Sequence, residues 1–147
     1  LVLGVAVLLA NGVAGAVGLW LWWTGALTSW FFGLVRVGQG LLVLQVALGG
    51  VLLALGNEPP SLHLLYGVLP LVLSFVAEQF RVACAEAVLD RRGLAAAREM
   101  EKLPEDEQRE IVVEIVRRET GVMATACVVV TLLALRAADV GGLGLPL

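Results

Sequence analysis

Charge, histidine and hydroxyl side chains are scarce in this chain, and each scarcity excludes a class of chemistry. Residues 1–23 contain no charged side chain, and over all 147 residues only 16% are charged. A soluble domain of this size carries about 25%. There is one histidine, His63, one tyrosine, Tyr66, and three serines, Ser29, Ser61 and Ser74. None of the serines sits in a GxSxG elbow, and HExxH, a phosphate-binding loop and Asp-rich lipid-phosphate motifs are absent. The two cysteines, Cys84 and Cys127, form no CxxC, which removes membrane thiol oxidoreductases that need a vicinal redox pair. They fit instead as small apolar residues in or beside membrane helices. With net charge −3, pI near 5.1 and no basic stripe, nucleic acid is excluded as a partner.

What is abundant is apolar sequence in long runs: 59% of residues are hydrophobic and the mean hydropathy is +0.91. The expected fold class is therefore all-α, a polytopic membrane protein with four transmembrane helices over about 1–23, 31–55, 62–82 and 120–137. Each is long enough to cross roughly 30 Å of hydrocarbon. The first run is too long, and lacks the basic leader, for a cleavable signal peptide; the chain opens on Leu1, which leaves room for native residues before it. Gly12, Gly15 and Gly18, with Ala14 and Ala16, predict a face for close helix packing, and Asn11 should point at a neighbouring helix. Trp20, Trp22, Trp23 and Trp30 bracket the link TGALTS and predict an aromatic belt at one interface. Gly49 and Gly50 should permit a second close contact.

Asn57-Glu58-Pro59-Pro60-Ser61 breaks the chain, with Ser61 expected to cap the next helix. The third helix should kink at Pro70 and continue beyond the membrane to Arg91. Residues 83–119 then form a helical hairpin, with Pro104 opening its second arm. Ile111, Val112, Ile115 and Val116 predict an apolar stripe there, and Glu105–Arg109 and Glu114–Arg118 predict i,i+4 pairs. Seven of the ten basic residues lie between 90 and 119, beside nine acids that count little in the positive-inside rule. The hairpin is thus expected in the cytoplasm, in a multi-pass protein of the cell membrane with both termini outside. Residues 140–147 read as a flexible tail.

Two polar groups interrupt the apolar runs. Arg36 and Glu78 should lie at similar depth near the hairpin side, and a charge in hydrocarbon is costly unless paired. The expected cluster is Arg36, Gln39, Glu78, Gln79 and Arg81, acting either as a clamp between helices or as a proton- or anion-handling site. At the other end Gln45, Tyr66 and His63 form a second candidate group. His63 there suits an interfacial residue bonded to Glu58, a quinone donor or a heme ligand.

The segment QVALGGVLLALGNEPPSLHLLYGVLP, Gln45 to Pro70, resembles one half of heme A synthase and related four-helix heme-b membrane modules. In that pattern a Gln-x-x-Leu-Gly helix precedes a loop and a histidine-bearing helix, matched here by Gln45, Leu48, Gly49 and His63. The resemblance implies heme b as a cofactor with His63 as a ligand. The pattern also has a histidine on a partner helix, which this chain lacks, and no charged hairpin.

Three functions follow as expectations. The first is a non-catalytic accessory or interaction subunit, whose partners are the lipid bilayer and other membrane subunits or further copies of the chain. The second is a heme-b or quinone-binding electron-transfer module using His63. The third is a small transporter or channel using Arg36 and Glu78. The uncharged first helix does not suit a small multidrug transporter, and no inverted repeat supports other transporter types.

Overall fold

The computed structural model describes residues 2–95 and 97–140. Among the described residues there are four long helices, α1 (Val2–Thr24), α2 (Trp30–Ala54), α3 (Ser61–Arg91) and α4 (Glu105–Ala138), with a short 3-10 helix, Ala97–Lys102, before α4. All four are long and apolar enough to cross a membrane. The described part of the expected tail is Val140 alone; residues 141–147 lie outside the described residues.

Three of the helices end the same way, and the ending is chemical. Gly25, Gly56 and Gly93 adopt φ of +71°, +88° and +72°, backbone that favours glycine. Each follows its helix, and the next residue turns its N–H back onto the helix: Ala26 onto Leu21 O, Asn57 onto Leu52 O and Leu94 onto Leu89 O, at 3.0–3.1 Å. These are Schellman closures that satisfy orphan carbonyls. The start of α3 differs from expectation. Ser61 makes no side-chain cap, and Pro60 is the capping residue, its carbonyl accepting the N–H groups of His63 and Leu64. Pro70 lies inside α3 and is buried, and the helix runs through it.

α4 is the central element. It packs along α1 on one side and α3 on the other; α1 also packs on α2, and the α2–α3 seam is thin. The α1–α4 contact rests on missing side chains. A Cβ on Gly15 would come within 2.8 Å of Val128, and one on Gly18 within 2.5–2.7 Å of Phe31 and Ala124. Gly12 faces Thr131 in the same antiparallel register. Two helices can approach this closely only where one presents backbone. Around the contact lie the buried Ala14, Leu21, Phe31, Val35, Met123 and Cys127, and further along Val7, Leu42 and Val130.

Asn11 is 3% exposed and turns toward α2 against Gly38, where a Cβ would sit 3.1 Å from the amide. Its Nδ2 donates to Val7 O at 2.9 Å. The hydroxyls of Thr120, Thr125 and Thr131 donate to carbonyls one turn earlier in α4 at 2.8–2.9 Å. Polar groups inside apolar helices are thereby kept within their own backbone. Trp20, Trp22, Trp23 and Trp30 are all exposed at the α1–α2 end. Gly49 and Gly50 meet no neighbour within 4 Å, so the close contact expected of them is not made within the described chain. In the hairpin, Ile111 is buried while Val112 is about half exposed, so the expected stripe is narrower than four residues. The Glu114–Arg118 pair forms at 3.2 Å; Glu105 and Arg109 form no ion pair among the described residues.

Adding a methyl at the tight α1–α4 contact should cost about 1–3 kcal/mol, because neither Ala124 nor the Phe31 ring has room to retreat. Gly18→Ala is therefore expected to lower the detergent unfolding midpoint, whereas Gly67→Ala, which enters open space on α3, should be neutral or stabilising. Equal midpoints for the two variants would count against the packing described.

Candidate functional site

Glu78 is the node of the polar cluster. It projects from α3 and is approached by two side chains of α2 and one of its own helix. Arg36 reaches it with two nitrogens, Nη1 to Oε1 at 2.8 Å and Nη2 to Oε2 at 3.1 Å. Gln39 Nε2 donates to Oε1 at 2.9 Å, while its own carbonyl oxygen accepts from Arg36 Nη1 at 2.8 Å. Arg81, one turn along α3, brings Nε to 3.4 Å from Oε2 and places its guanidinium carbon 5.7 Å from the centre of the Phe32 ring. The structure thus brings together four of the five residues grouped from the sequence. Gln79 does not join them; it is exposed on another face of α3.

The local reason is helical spacing. Arg36 and Gln39 are three residues apart and share a face of α2, and Glu78 and Arg81 share a face of α3 in the same way. A further carboxylate stands beside the cluster. Glu119, half-buried on α4, lies within electrostatic reach of both Arg81 and Glu78. Its signal was available: it is the last charge before the apolar run 120–137, at the level where α3 carries its own charges.

Chemically the arrangement is a bidentate ion pair with a bridging amide. It satisfies both oxygens of Glu78 and ties α2 to α3 where few apolar contacts do. It is not sealed. The Arg36 side chain is 54% exposed, although Arg36 lies six residues, about 9 Å, inside α2 from Trp30.

The second sequence-derived group does not converge. His63 Nδ1 lies 3.0 Å from the carbonyl oxygen of Ala137, joining the start of α3 to the end of α4. The carbonyl can only accept, so Nδ1 carries a proton in this contact. This replaces the expected bond to Glu58. Gln45 faces Gly4 of α1, with Oε1 buried and without a hydrogen-bond partner. Tyr66 is half-buried on α3, and no hydrogen bond joins His63, Tyr66 and Gln45 among the described residues. Met123 is buried in the core around the α1–α4 contact. No group of three or more metal-ligating His, Cys, Asp or Glu side chains occurs among the described residues.

Two further features bear on function. In the hairpin, Arg91, Arg92 and Arg118 converge on Glu114 at 2.7, 3.5 and 3.2 Å. Glu114 lies outside the apolar segment 120–137. Partial desolvation alone would raise its carboxyl, but the Arg91 hydrogen bond and the surrounding guanidiniums hold it below the ordinary value of 4.5. On α2, the face opposite the buried Phe31, Val35, Gly38 and Leu42 carries Gly33, Val37, Gly40, Leu44, Ala47 and Val51, all exposed. Small residues alternate there with branched ones at steps of four and three, and space beside Gly33 and Gly40 is open.

No protein-family model matches this chain, and no curated protein or solved structure does.

The Arg36–Glu78 contact should show as a coupling energy of about 0.5–1.5 kcal/mol in a double-mutant cycle of Arg36→Ala and Glu78→Ala, read by unfolding in detergent. A coupling near zero would mean that the pair does not hold α2 to α3. The hairpin should respond to acid. A carboxylate with a depressed pKa contributes stability that is complete above its unfolded value and is lost as pH falls through the folded one. Hydrogen exchange around Gly93 should therefore accelerate as pH drops below about 4.5, after correction for intrinsic exchange, and Glu114→Gln should abolish the dependence.

Proposed function

We propose that this chain is a non-catalytic multi-pass membrane protein that acts as an accessory or interaction subunit, docking a further transmembrane helix on the outward face of α2. The observation that carries the reading is the exposed seam Gly33–Val37–Gly40–Leu44–Ala47–Val51. Its steps of four and three are those of a left-handed helix pair, and small residues at every seventh position let the partner backbone come close. Lipid tails give no hydrophobic drive toward helix association, so a seam of this shape gains through packing. Arg36 supports the same reading. It flanks the seam, half exposed at hydrocarbon depth, and a charge there is less costly beside a polar partner than against acyl chains.

The charge distribution supports an orientation in the cell membrane with the 83–119 hairpin in the cytoplasm and both termini outside. The hairpin then offers the partner assembly a second, water-exposed surface. Within this reading the Arg36–Glu78 cluster holds helices in register, and His63 fastens the start of α3 to the end of α4.

Cross-linking in native membranes, followed by sizing in mild detergent, tests the proposal. Wild-type protein should run as a homo-oligomer or retain a membrane subunit, and Gly40→Leu should release it with unchanged helix content. Val72→Leu, an equally exposed change on α3, should have no effect. A monomer that retains nothing, or equal loss in both variants, would sink the reading.

A further inference from the structure

The face of α4 between α1 and α3 is open, and a groove of about 520 Å³ runs along it. Arg118 and Cys84 stand at one end, and Leu73 and Val129 at the other. Arg118 to Val129 is eleven residues, about 16 Å of helix. That is about half of the roughly 30 Å hydrocarbon core, the depth of one leaflet.

The groove's floor and walls select a thin apolar occupant. Thr125 lines the floor, but its hydroxyl is turned back onto Gly121 O at 2.9 Å. Gly121 is the residue that would let another helix approach, and it is already covered. The Trp22 indole nitrogen lies where a Cβ on Gly121 would come within 2.9 Å of it. A second helix is therefore held off, while a flexible hydrocarbon chain can lie between Phe80 and Trp22.

The mouth is cationic. Arg118 is the one charged side chain among the residues lining the groove; its partner Glu114 is shared with Arg91 and Arg92, so the Glu114 charge is divided among three guanidiniums. The Arg118–Glu114 pair is an i,i+4 surface pair with Arg118 42% exposed, worth little by itself, and the guanidinium has five N–H donors. Guanidinium and phosphate oxygens match bidentately. We propose that this groove binds an anionic phospholipid, with one acyl chain along α4 and the phosphate on Arg118. The proposal rests on the four helices being membrane spans and is independent of what docks on α2.

Native mass spectrometry of the full chain in mild detergent, with equimolar phosphatidylglycerol and phosphatidylcholine added, tests it. Wild type should retain phosphatidylglycerol in preference. Arg118→Gln should lower that preference roughly five-fold, the effect of one basic residue on an anionic lipid. Thr125→Phe, which fills the groove from an exposed position, should lose both lipids, and Arg98→Gln, in the 3-10 helix, should behave as wild type. Circular dichroism should give all variants the same helix content. Equal retention of the two lipids by wild type would overturn the proposal. So would an Arg98→Gln loss as large as that of Arg118→Gln, or full retention by Thr125→Phe.

Discussion

The rest of the bundle depends on the close approach of α1 to α4. Gly15 and Gly18 put bare backbone against Val128 and Ala124, and Phe31 of α2 fills the space beside them. Close packing of this kind is what holds helices together in hydrocarbon, where no solvent drives them inward. Once α1 lies on α4, the short link 25–29 sets α2 against α1, and the hairpin returns α4 alongside α3. The remaining seam, α2 against α3, has little apolar packing, and there the chain places its buried-side polar chemistry. Glu78 accepts from Arg36 and Gln39 where leucines do not meet.

Much of this was legible in the sequence because hydrocarbon leaves few choices. Long apolar runs with at most an occasional charge mark helices able to cross a membrane almost by length alone, and α1, α2 and the apolar part of α4 follow. Arg36 and Glu78 could be set opposite each other by counting residues from the belt and from the hairpin. The glycine spacing in α1 pointed to a close contact, although which helix lay across it was not written in the spacing. The helix ends are equally readable: Gly25, Gly56 and Gly93 each stand where a helix closes on a left-handed residue.

Other features were hidden for physical reasons. Of the roles open to His63, the bond to Glu58 rested on proximity along the chain, whereas the partner in the structure is Ala137 O, 74 residues away, supplied by the open end of another helix. Glu119 belongs to the Glu78 cluster only because α4 packs beside α3 at that level. The outward seam of α2 could not be separated from its inward one by sequence, since both are apolar with the same period. Only the packing of α1 decides which of them is covered.

All four tryptophans stand at one end of the bundle, and none at the other. Indoles favour the headgroup level, so in a bilayer the molecule would be pinned at a single surface. A bilayer thicker or thinner than the helices therefore cannot be shared between the two ends. The mismatch would accumulate at the opposite rim, where α2 turns into α3 and the His63 ring closes onto α4. That rim is the part of the protein whose geometry would follow membrane thickness.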